Sequence, residues 1–248
     1  MEVRKQARLA GILYVLMGIP GAFFLQYVPR QLIVRGDPAA TAEQLLTQEP
    51  LFRLGLAAEL FSTIIFIFTV LALFRLFRAV DEDRARLMVI FVLLSVPMSL
   101  LNVLTEVAAF SLARGPEYLS SFGKGQLDAL ALLFLGLHGQ GNGVAEIFWG
   151  LWLLPLGALV YASAFAPRAI GVLLVAAGIG YVAAASASFV TPQIAAVVNN
   201  LALVPEGLGE LSFVVWLFAT RSRATLPSRD GSLAAALAPD ATRHAHQR

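Results

Sequence analysis

Six stretches of about 20 mostly apolar residues constrain this chain more than any other feature, because that length of helix crosses the hydrocarbon layer of a bilayer. They run roughly over 9–28, 52–74, 87–112, 142–164, 169–190 and 199–219. Backbone groups in lipid must be satisfied within the segment, so each stretch predicts a helix and no strands are expected. Composition agrees: 58% of the residues are apolar, 14% are charged and the mean hydropathy is +0.75. A soluble domain normally carries about a quarter charged residues, which its polar surface requires. The expected fold class is therefore all-α: a polytopic transmembrane helical bundle of six spans. Residues 1–219 are read as the transmembrane domain and 220–248 as a disordered cytoplasmic tail rich in Ala, Arg, Ser and Pro.

The start, Met1 to Phe24, has the basic residues and apolar run of a signal peptide, but no small-x-small cleavage site follows and the apolar run reaches Val28. It is read as an uncleaved first span. Orientation follows from Lys and Arg at the span ends. With the N-terminus inside, Arg4, Lys5, Arg8, Arg75, Arg78, Arg84, Arg86, Arg168, Arg221, Arg223 and Arg229 are cytoplasmic. Only Arg30, Arg35, Arg53, Arg114 and Lys124 are then outside. This predicts a multi-pass protein of the cell (inner) membrane with both termini cytoplasmic. The net charge of +2 is small and its basic residues sit at span ends, so no nucleic-acid partner is expected. With no cysteine, disulfides, thiolate metal sites and thiol redox chemistry are excluded.

Two outer loops are long. In the first, about 29–51, Asp37-Pro38 reads as a turn before a short surface helix from Thr41 to Leu46. In the second, about 113–141, the run Gln126 to Leu137 is too short to span and is expected to lie at the interface or dip into it. It ends in four glycines within eight residues, Gly136 to Gly143, which are expected to break or loosen the helix. A phosphate-binding loop would need a preceding strand and a following Lys, and neither is present.

The spans also carry signs of an internal repeat. Arg8-Leu-Ala-Gly11 through Gly18-Ile19 aligns without gaps to Arg168-Ala-Ile-Gly171 through Gly178-Ile179. Spans two, four and six each place a Glu shortly after a Gly, at Gly55/Glu59, Gly143/Glu146 and Gly207/Glu210. The pattern suggests three helical hairpins related by a parallel repeat; chance similarity among low-complexity apolar helices is the competing explanation.

Ionisable groups inside a span cost at least ~2.5 kcal/mol each on insertion scales and usually face an interior or water. Here they follow helical spacing. Ser95, Ser99, Asn102 and Glu106 make one face of span three; His138, Asn142 and Glu146 step by four; Asn199, Glu206 and Glu210 step by seven and four; Glu59 and Ser62 sit three apart. Turned inward, these faces would make one polar cavity open toward the outside. Glu210, Glu59, Glu106 and Glu146 are the candidates for acid–base chemistry, and Asn102, His138, Asn142, Asn199 and Glu206 the candidate pocket lining. The plainer reading is interhelical hydrogen bonding that only holds the bundle together. A His with several carboxylates could also hold a divalent metal, but no tight metal-ligand motif exists, so no metal and no cofactor are assigned; His244 and His246 read as solvated tail residues. Pro97, Pro155 and Pro205 each free a backbone carbonyl. Trp149, Trp152 and Trp216 read as packing or belt residues, and Gly180, Ala184 and Ser188 as a close-packing stripe.

Several absences narrow the function. A single His near the membrane argues against a bis-His haem within one chain, and no Lys lies within a span for a retinal Schiff base. There is no His-Glu-x-x-His motif, no convincing Gly-x-Ser-x-Gly turn, and no soluble nucleotide-binding domain.

A set of short segments does match a known pattern: Arg8-Leu-Ala-Gly11-Ile12-Leu13-Tyr14, Leu51-Phe52-Arg53-Leu54-Gly55, Leu133-Phe134-Leu135 with His138, and Phe148-Trp149-Gly150-Leu151. It continues with Pro167-Arg168, Gly171-Val172-Leu173-Leu174, Pro205-Glu206, Gly209-Glu210-Leu211 and Trp216. In this order and spacing, across about 8–219, the chain resembles the bacterial membrane-protein family catalogued as domain of unknown function 4386. The resemblance implies a multi-helix membrane protein and carries no chemistry.

The expectation is thus an integral membrane protein with an outward-facing polar pocket for a small or lipid-like molecule, its other partner being the lipid bilayer. The alternatives are a membrane-embedded acid–base enzyme acting on a lipid or isoprenoid, a small proton-coupled transporter, and a structural membrane protein.

Overall fold

In a computed structural model that describes residues 3–220, every regular element is helical. The tail and its His244 and His246 lie outside the described residues, as do Arg221, Arg223, Arg229, Arg243 and Arg248. The helices are α1 Val3–Ala22, α2 Val28–Leu32, α3 Pro38–Thr47, α4 Glu49–Phe77, α5 Glu82–Arg114, α6 Lys124–Leu151, α7 Leu153–Ala162, α8 Arg168–Val190 and α9 Pro192–Ala219. A single π-helical turn, Phe23–Tyr27, joins α1 to α2. Six helical segments are long and apolar enough to cross a membrane: α1 through α2, α4, α5, α6 through α7, α8 and α9. This is the arrangement of a multi-pass membrane protein, and it matches the six predicted spans.

Helix ends follow from local chemistry. Asp37 caps α3, accepting from the Ala40 amide at 2.9 Å, and Pro38 stands at the first helical position where no amide is needed. Asp81 caps α5 in the same way, accepting from the Arg84 amide at 2.9 Å. Gly115, at φ 62°, ends α5 in the left-handed region that favours glycine. The predicted short helix after Asp37 is present as α3, but it does more than lie on a surface. Thr41, Ala42 and Leu45 are buried against the far end of the bundle, the end away from residue 3.

The second loop differs from expectation. Gln126 to Leu137 does not form a separate interfacial segment, and the glycines do not break the helix. α6 runs unbroken from Lys124 through Gly136, Gly139, Gly141 and Gly143 to Leu151. The interruption comes at Trp152, three residues before Pro155, whose missing amide leaves the Leu151 carbonyl without a helical partner. Glycine inside a helix costs about 1 kcal/mol relative to alanine. Tertiary packing offsets that cost here: a Cβ on Gly141 would collide with the Asn102 amide, and one on Gly143 would meet the Phe189 ring at 3.4 Å. The α6–α7 span of 39 residues measures about 58 Å at 1.5 Å per residue, well beyond the ~30 Å hydrocarbon layer. Its first turns therefore project past the layer, where α3 packs on them.

The spans form a closed ring in chain order, each packed on the next and α9 returning to α1. The three hairpins α1/α4, α5/α6 and α8/α9 are closely packed, and so is α8 against α6 and α7. Spans four and five approach until backbones touch: a Cβ on Gly178 would lie 2.7 Å from the Gly150 carbonyl oxygen, and one on Gly157 would lie 2.7 Å from that of Gly171. Small residues permit such approach, which drives helix association where the hydrophobic effect is absent. This contact, rather than the predicted stripe alone, sets the spacing. Gly180 of that stripe faces α9, at Ala202 and Glu206.

Two apolar clusters fill the ring. The larger lies toward the residue-3 end and includes Tyr14, Phe77, Leu156, Phe213 and Trp216; the smaller lies at the far end and includes Val28, Leu45, Phe52 and Phe110. Between them lies a polar layer. Outward, Ile12, Ile19, Leu54, Phe61 and Leu101 are exposed to the lipid side.

Gly178→Ala should lower unfolding stability in detergent by about 1–3 kcal/mol through overpacking. Gly207→Ala, where a Cβ would meet nothing within 4 Å, should be neutral or stabilising by about 0.5–1 kcal/mol. Thermal unfolding of the two variants side by side decides it; equal effects would contradict the close-contact account.

Candidate functional site in the polar layer

The polar layer holds two adjoining cavities that share Phe24 and Leu25 of the π-helical turn. The turn comes just before Pro29: the Val28 amide reaches back to the Phe23 carbonyl, one residue further than in an α-helix. Such single turns are frequent at functional sites.

The first cavity, about 250 Å³, draws lining from all six spans, including Ser62, Ser95, Ser99, Trp152, Tyr181 and Glu210. Ser95 and Ser99 flank Pro97 on α5. Glu210 is held by two phenols: Tyr14 donates to Oε2 at 2.6 Å and Tyr181 donates to Oε1 at 2.8 Å. Tyr14 is itself fixed between Trp152 and Phe213, each with its ring centroid 6.1 Å away. Ser62 donates to the Met17 carbonyl at 2.8 Å, which ties α4 to α1 beside the cavity. Trp149 and Trp152, expected as packing residues, also line this space; Trp216 packs in the larger cluster as expected.

One side of this cavity is open. α1 meets α9 where a Cβ on Gly11 would touch Leu217 and Phe218 at 3.1–3.3 Å, and again through Tyr14. Beyond Tyr14 the two helices separate: a Cβ on Gly18 would meet nothing within 4 Å, and Gly18 and Ala22 form an exposed rim. The repeat alignment sharpens the point. Gly11 and its counterpart Gly171 each pack on the preceding span in the ring. Gly178 also packs closely, whereas its counterpart Gly18 faces open space. The ring is therefore tight between α7 and α8 and splayed between α1 and α9.

The second cavity, about 260 Å³, lies nearer the far end and is lined by Glu106, His138, Asn142 and Glu146 together with Leu32, Leu45 and Phe52. Asn102 Nδ2 donates to the His138 carbonyl at 2.8 Å and to Asn142 Oδ1 at 3.0 Å. His138 Nδ1 lies 3.3 Å from the Asn102 carbonyl, and Asn142 Nδ2 lies 3.0 Å from His138 Nε2. Asn142, held through its oxygen, presents its NH2 to Nε2; the ring thus carries its proton on Nδ1, which donates to the carbonyl. Two carboxylates converge on the same Nε2: Glu106 Oε1 at 3.4 Å and Glu59 Oε2 at 3.6 Å. Glu59 is 1% exposed and neither of its oxygens has a hydrogen-bond partner.

The nine sequence candidates thus divide. Glu59, Glu106, His138, Asn102 and Asn142 form one cluster, with Glu146 on the same cavity. Glu210 sits in the other cavity. Glu206 lies against α8 near Gly180 and lines neither cavity. Asn199 is exposed near the start of α9, also outside both cavities. Helical periodicity places it on the face of Glu206, but its side chain is exposed. Tyr14 and Tyr181 escaped the sequence reading; their signal was a phenol inside an apolar span, whose hydroxyl needs a partner when buried.

Asn102→Ala should cost about 1–3 kcal/mol, because it leaves Asn142 Oδ1 without its donor and removes the side-chain tie to the His138 carbonyl. Asn199→Ala should stay within about 0.5 kcal/mol. Unfolding midpoints in detergent measure both, and a larger loss at Asn199 would contradict the placement.

No curated protein and no solved structure matches the chain. The family model described as domain of unknown function (DUF4386) matches residues 9–220, which takes in all six spans and both cavities. The chain belongs to the DUF4386 family.

Proposed function

We propose that the protein is a multi-pass protein of the bacterial inner membrane, both termini cytoplasmic, whose first cavity binds a small, lipid-like molecule. The observation that carries this reading is Glu210, clamped by Tyr14 and Tyr181 on a cavity of about 250 Å³ that opens sideways between α1 and α9. A ligand entering from the bilayer needs no aqueous route. Its apolar body would lie along Met17, Phe24, Leu25 and Phe66, and a hydroxyl or amine head would reach Glu210, Ser62 or Ser95. Apolar walls with a few convergent polar groups are the usual character of small-molecule sites. The eleven basic residues assigned to the inner side support the orientation.

Acid–base chemistry on such a ligand is the second reading. The two phenols hold the Glu210 carboxyl in one orientation, as a proton-transfer group requires. Proton-coupled transport has less support, because the cluster of Phe77, Phe165, Phe213 and Trp216 fills the bundle between Glu210 and the residue-3 end.

Native mass spectra of wild type, Glu210→Gln and Tyr181→Phe in mild detergent test the site. A reproducible bound mass in wild type should fall in occupancy roughly 10-fold or more in Glu210→Gln, the loss expected when a hydrogen bond to a charged group goes. No bound species, with the variants merely less stable, would favour polar groups that only hold the bundle together.

A further inference from the structure

We propose that Glu59, Glu106 and His138 bind a divalent transition-metal ion, in the cavity nearer the far end of the bundle. One ligand atom from each residue lies within 4.8 Å of the other two. The two spacings from His138 Nε2, 3.4 and 3.6 Å, are near the roughly 3.3 Å between ligands about 2.0 Å from a tetrahedral ion.

The independent observation is Glu59. Its carboxyl is enclosed, has no hydrogen-bond partner at either oxygen, and points at an imidazole nitrogen that carries a lone pair. Buried polar groups are normally paired, and an unpaired one needs an explanation. With both carboxyl groups ionised, two carboxylates and a nitrogen lone pair converging on one point form a set of three acceptors with no donor among them. The amide of Asn142, at 3.0 Å, serves only the nitrogen. A cation at the common point satisfies all three acceptors. It would take the lone pair now serving Asn142, whose side chain then turns aside.

The surroundings fit a ligand set. His138 Nδ1 donates to the Asn102 carbonyl, the orientation in which metal-binding imidazoles are usually held from behind. Asn102 also holds the His138 carbonyl, so one residue fixes both the ring and the backbone of the helix that carries it. The three ligands come from three spans: α4, α5 and α6. One imidazole with two carboxylates favours a transition ion such as Zn2+ or Mn2+ over Mg2+ or Ca2+, which prefer all-oxygen sets. Glu106 and His138, but not Glu59, line the adjoining cavity of about 260 Å³, which leaves room beside the ion for a further group. Three protein ligands with an open position is the pattern of sites that bind a further group.

The test uses the full chain, purified without a polyhistidine tag, stripped with chelator and titrated with Mn2+ and with Zn2+. Elemental analysis after desalting should find about one ion per chain in wild type, and Mn2+ spin resonance should show a nitrogen coupling from one imidazole. Glu59→Gln and His138→Gln should weaken binding at least about 100-fold; Asn102→Ala, which keeps the backbone carbonyl that accepts from Nδ1 and loses only the amide that holds the His138 carbonyl, should weaken it less than about 10-fold. Glu210→Gln should bind the ion as wild type does, which separates this site from the ligand cavity. The double variant His244→Ala/His246→Ala should also bind normally. No uptake by the stripped wild type, uptake lost with the tail histidines, or unchanged binding in Glu59→Gln would each overturn the proposal. The nitrogen coupling needs no variant; its absence from Mn2+-loaded wild type would overturn it even if Glu59→Gln failed to fold.

Discussion

A carboxyl group at the depth of a hydrocarbon layer must be kept away from lipid, and the arrangement of this bundle follows from that requirement. Glu59, Glu106, Glu146 and Glu210 come from four different spans. They can be enclosed together only if the spans close into a ring with these faces inward. The ring in turn depends on backbone-to-backbone approach at Gly150/Gly178 and Gly157/Gly171, which draws spans four and five together. The apolar clusters at either end complete the enclosure, so the polar layer is bounded by hydrocarbon above and below.

Within that layer the same residue types are used in two ways. Glu210 has two hydroxyl donors and is a satisfied group on a cavity wall. Glu59 has none and faces another carboxyl and a ring nitrogen. Glu59 is the more deeply buried of the two, and the donors around them separate them further. That difference is why the two cavities support different proposals, one for an organic ligand and one for an ion. The splay between α1 and α9 adds a further asymmetry, since it lies beside the first cavity. The π-helical turn at Phe23–Tyr27 stands between the two cavities and supplies a wall to each.

Much of this was legible in the residues. Six apolar stretches of spanning length set the number of helices, since lipid allows no other backbone solution for them. The four-residue steps of Asn102/Glu106 and His138/Asn142/Glu146 placed these groups on common faces, and their clustering follows. The fourth span begins earlier than its hydropathy indicates because the intrinsic helix cost of glycine is outweighed by packing. Gly141 is instead the space that the Asn102 amide occupies, a benefit that exists only when α5 lies beside α6. Periodicity puts Asn199 on the face of Glu206, yet its side chain is exposed.

The sequence by itself determined the helical class, the spans, and which helix faces are polar, because these depend on hydropathy and on the 3.6-residue period. The tertiary structure alone decided that the polar faces divide into two cavities rather than one. It also decided that Tyr14 and Tyr181 complete the Glu210 site, and that Glu59 is left without a donor. Those outcomes depend on how spans distant in sequence rotate and approach one another, and that is set by glycine contacts and ring closure, which periodicity along a single helix does not encode.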